Sequence, residues 1–409
     1  MGRVLKKKEG KNIKIPEALD PNTYRPKIFW DVSVTTLYEK KRGNEYCIGS
    51  VERDAYIKAS QSQLSKLWSC IYLMNGVLTI SEIQSEMEIR KVSINVDLLV
   101  MKLLSIGLID DENYIGKPFD EASRLTVPIC SVNIKKLSKL VQPFSYIIVI
   151  FILSLLGIGI ILFSYLLLEN RISIIELIKY KNSYIKGIFF SSLLTIPIFI
   201  THEFAHVIVA AKYKLYASKM NFALYFGFIP MAYVRIPGIY TLSRGKRIKI
   251  MSAGILWNIT VGIALTVMSN ILKIETLKVI ALANFQIAFV NLSPLSLSDG
   301  YFLMCNLLKT SNLRMNFLKT VALGQQGINK TRYSVITRLY TSCTFIFMAV
   351  MGVTFGNSLL RNALKYGVLS KIEPSSSTFT ILQIMVSALC IFLCFLLVRL
   401  RFKVYKKSF

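Results

Sequence analysis

The hydrophobic pattern divides the chain into two parts. Residues 1–140 mix polar and apolar positions and contain no apolar run that could cross a bilayer. Six apolar segments follow Pro143, each about 20 residues or longer, which is the length that a membrane-spanning helix needs. The pattern therefore predicts a mainly α-helical, polytopic membrane protein with about six transmembrane helices. The segments are residues 144–168, 187–211, 248–272, 277–297, 339–360 and 378–398.

The N-terminal part has the pattern of a small α+β domain of the winged-helix type. Two hairpin strands are predicted, and three short helices follow, with an Asn-Gly turn, a Thr-x-x-Glu capping box and a terminal glycine marking their limits. Such a fold binds DNA or a peptide, or it stabilises the membrane part by packing alone. The predicted strands are residues 46–49 and 55–59. The first predicted helix covers residues 63–74, the second begins near residue 80, and the third covers residues 93–106.

The third helix decides between the two kinds of ligand. Between residues 93 and 110, Lys102 is the one basic residue, and it is accompanied by two aspartates. This charge is a poor match for the phosphates that line a DNA groove. We therefore expect a peptide partner and no nucleic acid.

Composition supports a membrane location. The chain is 53% apolar with a mean hydropathy of +0.49, which excludes an ordinary soluble enzyme. Its 50 Lys and Arg against 23 Asp and Glu give a net charge of +27. The basic residues lie mostly in the N-terminal region and in loops beside apolar segments, where cytoplasmic loops contact anionic lipid.

The distribution of basic residues also predicts the topology. Six crossings place both termini on one side of the membrane. The connections at 212–247 and 309–338 and the tail at 399–403 are rich in Lys and Arg, and the alternate connections hold fewer. The positive-inside rule then predicts a multi-pass protein of the cell membrane with cytoplasmic termini.

The candidate chemistry lies in the second apolar segment. His202-Glu203-Phe204-Ala205-His206 has the spacing H-E-x-x-H, which places two imidazoles on one helix face where both reach one zinc ion. Glu203 is predicted to be the general base that takes a proton from a water molecule activated by the metal. Ionisable residues in an apolar helix are costly, so a functional role outweighs a chance occurrence.

A third zinc ligand has to come from another residue type, because these are the only two histidines. Asp299, after the fourth apolar segment, is the predicted ligand, and Cys305 is the alternative. The second and fourth segments run in the same direction through the membrane, so Asp299 is expected at the depth of the histidines. Taken alone, Pro294 and Asp299-Gly300 would indicate only a turn after a helix.

These motifs resemble the site-2 protease-like intramembrane zinc metalloproteases. In that family, H-E-x-x-H on one helix is completed by the aspartate of an N-x-x-P-x-x-x-x-D-G stretch, which matches residues 291–300 here. A Gly-Pro-x-x-Asn element of the family is kept in part, with Gly254 and Asn258 present and Ile255 replacing the proline. The resemblance covers about residues 188–308 and implies a zinc metalloendopeptidase. Residues 221–236 resemble the family's membrane-embedded hairpin, and a surface-lying amphipathic loop is the alternative.

Three asparagines are expected to contact the substrate. Asn258 belongs to the partial family element. Asn284 and Asn291 interrupt the apolar fourth segment, as residues lining a polar cavity do.

The N-terminal domain resembles peptide-recognition domains of the PqqD type over about residues 46–110. There, a leader peptide adds as a strand to a sheet edge. The combined architecture resembles bacterial peptide zinc metalloproteases that mature or export ribosomally made, modified peptides. It implies a peptide or membrane-peptide substrate. The rival interpretations are a protease that releases a membrane-tethered transcription regulator, and a non-catalytic peptide exporter or immunity component.

The sequence predicts four regions: a basic segment at 1–45, the PqqD-like domain at 46–140, the metalloprotease core at 141–308, and a C-terminal transmembrane pair with a basic tail at 309–409.

Overall fold

The computed structural model describes most of the first three quarters of the chain. It divides the chain into two compact units, 1–309 and 310–409. The predicted fifth and sixth apolar segments lie largely outside the described residues. The described residues are 19–40, 43–111, 126–169, 180–181, 184–225, 229–294 and 298–310, with isolated positions between 313 and 388.

The front domain, residues 19–111, contains the predicted hairpin and three helices. Its elements are β1 (Ser33–Tyr38), β2 (Glu45–Ser50), β3 (Ala55–Ser60), α1 (Gln61–Leu73), α2 (Ile80–Ile89) and α3 (Val96–Ile106). The strands form an antiparallel sheet of order β1-β2-β3. At the start of α2, Glu82 N donates to Thr79 Oγ1 at 3.2 Å and Thr79 N donates to Glu82 Oε2 at 2.7 Å, so the capping box is formed.

Both limits predicted for this domain need correction. Residues 19–38 were assigned to the basic segment, but Leu19 is buried in the same core as Ile48 and Leu103, and β1 pairs with β2. At the other end, β4 (Thr126–Asn133) pairs with a strand of the helical core. The cause is the same at both ends, because short strands take their stability from partners distant in sequence.

A second antiparallel sheet, of order β4-β5-β6, lies in the core. Its hairpin consists of β5 (Lys219–Tyr225) and β6 (Ile229–Arg235), where residues 221–236 were predicted to form a hairpin or a surface loop.

Helices form the remainder of the core. They are α4 (Lys135–Val141), α5 (Ser145–Leu168), α6 (Tyr184–Leu193), α7 (Thr195–Lys212), α8 (Arg244–Leu272), α9 (Glu275–Leu292) and α10 (Asp299–Leu307). The helix α8 lies at the centre and packs against α5, α7, α9 and α10.

Two helical stretches in the described part of the chain are long and apolar enough to cross a membrane. One is Lys135–Leu168, which includes α4 and α5, and the other is Arg244–Leu272, which is α8. They correspond to the predicted segments 144–168 and 248–272. In the first, large apolar side chains such as Phe151 and Ile161 are 66% and 70% exposed, as in a helix that faces lipid.

The other two predicted segments in the described region differ from expectation. The segment 187–211 is divided at Leu194 into α6 and α7. Pro197 explains the division, because it has no amide hydrogen and its ring clashes with the carbonyl four residues earlier. The segment 277–297 ends as a helix at Leu292, and Asp299 opens the separate helix α10.

Arg247 of α8 joins the front domain to the core. Its fully buried guanidinium donates to the carbonyl oxygens of Leu37 in β1 and of Leu242, and to Asn306 Oδ1 in α10. The Tyr38 ring centroid lies 5.2 Å from Arg247 Cζ. A buried charge is tolerated only when its donors are satisfied, so these partners hold β1 firmly against the core.

Candidate metal centre

The predicted ligands lie together in the structure. His202 and His206 are 1% and 5% exposed on α7, and their ring centroids are 5.1 Å apart. The Asp299 Oδ2 atom at the start of α10 lies 2.9 Å from His202 Nε2 and 3.1 Å from His206 Nε2. One carboxylate oxygen therefore lies against both imidazoles.

The opposite nitrogen of each imidazole contacts α8. His206 Nδ1 lies 2.7 Å from the carbonyl oxygen of Ile250, to which it can only donate, so in the neutral ring that binds a metal the lone pair is on Nε2, on the side of Asp299. The Asn258 amide lies 3.0 Å from His202 Nδ1.

The Asn258 amide can face His202 in two orientations. With its nitrogen toward His202, the buried Asn258 Oδ1 has no hydrogen-bond partner among the described residues. The two amide orientations are nearly indistinguishable in shape. Turning the amide lets Oδ1 accept from His202 Nδ1–H and leaves His202 Nε2 with a lone pair. Asn258, predicted to contact substrate, thus lies where it orients a ligand.

Gly254 makes room for the His202 ring. A Cβ atom at this position would collide with the imidazole, so α8 approaches α7 closely only because residue 254 has no side chain. Gly254 and Asn258 are one helical turn apart on α8. They are the two residues that match the Gly-Pro-x-x-Asn pattern in part, and both contact the same imidazole.

Gly254→Ala is expected to weaken zinc binding at least tenfold, because the added methyl group displaces the His202 ring from Asp299. Zinc per chain, measured by mass spectrometry of the metal after dialysis against chelators of graded strength, checks this. Alanine is a better helix former than glycine, so a loss cannot come from a weaker α8. The control is Gly245→Ala in the same helix, where an added Cβ meets nothing within 4 Å. Equal zinc retention in both variants would contradict the assignment.

Glu203 is held by β6, whereas the histidines are held by α8. It is 8% exposed, and its Oε2 accepts a hydrogen bond from the backbone N–H of Val234 in β6 at 2.8 Å. Ligand-type atoms of Glu203 and of the two histidines lie within 4.8 Å of one another. The carboxylate therefore lies beside the metal ligands.

The donor set fits zinc. Zn–N and Zn–O bonds of about 2.0–2.2 Å in a tetrahedron place donor atoms about 3.3 Å apart, close to the separations between Asp299 and the imidazoles. Two histidines and one carboxylate are a ligand set of hydrolytic zinc sites, which keep the fourth position for water or substrate. His206 Nδ1 has the acceptor expected behind a metal-binding histidine, and His202 Nδ1 has one when the Asn258 oxygen faces it.

Two residues predicted to contact the substrate form hydrogen bonds within their own helix. Asn284 Nδ2 donates to the Ile280 carbonyl at 2.9 Å and Asn291 Nδ2 donates to the Ile287 carbonyl at 3.2 Å, each within α9. Cys305, the alternative ligand, is buried in α10, and Asp299 is the residue that contacts both imidazoles. The backbone groups of Val234 and Ile250 could not be predicted as parts of the site, because main-chain donors and acceptors are the same at nearly every position.

These residues form a candidate metal centre that consists of two buried histidines and one carboxylate, with a glutamate beside them. Comparison with protein-family models, curated proteins and solved structures finds no match to this chain.

Proposed function

We propose that this protein is an intramembrane zinc metalloendopeptidase that matures or helps to export a ribosomally made, modified peptide. One observation carries the proposal: the Asp299 carboxylate lies against both imidazoles of the H-E-x-x-H motif, with the Glu203 carboxylate beside them. The H-E-x-x-H motif lies in the predicted apolar segment 187–211, and Asp299 follows the predicted segment 277–297 at the start of α10.

His202, His206 and Asp299 would hold the metal. Zinc, when bound, lowers the pKa of a coordinated water molecule to about 7 and polarises a carbonyl oxygen. Glu203 takes the proton that the water molecule loses during attack on the peptide carbonyl, and it delivers that proton to the departing amine. The Val234 N–H orients the Glu203 carboxylate for both transfers.

The membrane arrangement in this proposal has six crossings and cytoplasmic termini. The two long apolar helices and the exposed apolar surface of α5 support a membrane location. The basic connections support the orientation.

The front domain supplies substrate choice in this proposal. β1 and β3 form the edges of its three-stranded sheet. A leader peptide that adds as a strand to such an edge gains main-chain hydrogen bonds, and it brings the cleavage site of the same chain to the membrane core.

Removal of zinc tests whether the protein is a zinc-dependent peptidase. Purified full-length protein, incubated with a library of synthetic peptides, is expected to cleave some of them, and mass spectrometry identifies the cut bonds. Ortho-phenanthroline is expected to stop cleavage and added zinc to restore it, because the metal is needed to activate water. The meta isomer, which cannot chelate, serves as the control. Cleavage that persists in metal-free protein would overturn the proposal.

A further inference from the structure

The turn between β2 and β3 of the front domain contacts the end of β6. Asp54 Oδ2 lies 2.5 Å from Arg235 Nε, and the two side chains are only 17% and 32% exposed. Partial burial makes such a charged pair stronger than an exposed one, because water screens it less.

Further contacts fix the same turn and the residues that follow β6. Gly238 N donates to the Tyr56 hydroxyl at 2.9 Å, and the rings of Tyr56 and Tyr240 meet edge to face with centroids 5.5 Å apart. Gly238 has a φ of +84°, and a Cβ added there would meet Val51 of the turn. The front domain is thus packed tightly against the stretch from Arg235 to Tyr240.

Arg235 directly follows Val234, whose backbone N–H holds Glu203. The Arg235 carbonyl accepts from Ser218 N at 2.9 Å, so the residue is held on its main chain and on its side chain. The histidines, in contrast, are supported by α8 through Ile250, Gly254 and Asn258. The hydrogen-bond partners of Glu203 and of the histidines therefore lie on different elements, β6 and α8.

We propose that Asp54 and Arg235 are a positioning pair for Glu203. By fixing the end of β6, the pair sets the place of the Val234 N–H and so the direction of the Glu203 carboxylate. The front domain then controls the rate of the chemical step and leaves metal binding unaffected. This inference rests on the proposed peptidase function.

Asp54→Asn in the full-length protein tests the pair. Asp54 has a φ of +52°, which asparagine tolerates well, so the change removes the charge and keeps the turn. We expect kcat on a short peptide to fall about tenfold, since small displacements of a catalytic group are costly. KM and zinc per chain are expected to stay at the wild-type values.

Arg235→Gln provides an independent variant and is expected to give the same fall in kcat. The double variant is expected to be no slower than either single one, because each change already abolishes the same ion pair. The control is Asp110→Asn, which removes an exposed pair with Lys27 in the same domain, 3.9 Å apart, and is expected to leave kcat unchanged.

The outcomes separate this inference from the proposed function. Wild-type protein without chelator-sensitive cleavage would overturn both. Active wild-type protein with an unchanged kcat in Asp54→Asn and Arg235→Gln would overturn the positioning pair alone. Zinc loss in proportion to kcat, or additive losses in the double variant, would also overturn it, because they would indicate a general structural defect.

Discussion

Glu203→Gln is expected to abolish peptide cleavage and to leave zinc binding intact. Glutamine has the size of glutamate, and its amide oxygen can still accept the hydrogen bond from the Val234 N–H. It cannot take a proton from water, so the loss should approach the full contribution of a general base, about 10²- to 10⁴-fold. The three metal ligands are unchanged, and the zinc content should remain near that of the wild type.

Rates on a cleaved library peptide and zinc per chain, measured on the same preparation, check this prediction. Glu275→Gln is the control, because Glu275 is an exposed carboxylate in the first turn of α9. It should leave both quantities unchanged. Wild-type turnover in Glu203→Gln would mean that another group takes the proton.

Asp299→Ala is expected to remove zinc from the protein. The change deletes one of three donors, and the loss of affinity should exceed the 10- to 100-fold that is typical when a group behind a ligand is removed. Asp299→Asn keeps an oxygen donor without its charge and should give an intermediate affinity. Both variants should lose cleavage together with the metal, unlike Glu203→Gln.

Cys305→Ala in the same helix is the matched control for these variants. The thiol is buried in α10, and we expect its removal to leave zinc per chain unchanged. The reverse result, zinc kept in Asp299→Ala and lost in Cys305→Ala, would assign the third ligand to the thiol.

The residues that meet at the centre could be predicted from sequence because their chemistry is rare in apolar helices. Two histidines at helical spacing require a third donor, and Asp299 follows an apolar segment of matching direction. The front-domain helices were predictable for a related reason, since capping and turn residues act locally.

The remaining features depend on partners distant in the chain. β1 and β4 are short strands whose pairing is set by tertiary structure. The contact of Asn284 and Asn291 with substrate stays a prediction, and in the structure their Nδ2 atoms donate to carbonyl groups of α9 itself. The division of segment 187–211 had a visible cause in Pro197, which hydropathy alone does not register.

The contacts of Arg247 have a consequence for biosynthesis. Its partners Leu37 and Asn306 lie near the two ends of the sequence of the first compact unit, so the full set of hydrogen bonds at the junction between the front domain and the core cannot form until α10 has been made. That same helix begins with Asp299, the third ligand. A ribosome-bound chain that has not reached α10 therefore lacks both the closed junction and the complete metal centre. In the proposed peptidase, the metal centre would therefore be completed late in synthesis, after the earlier helices have been made.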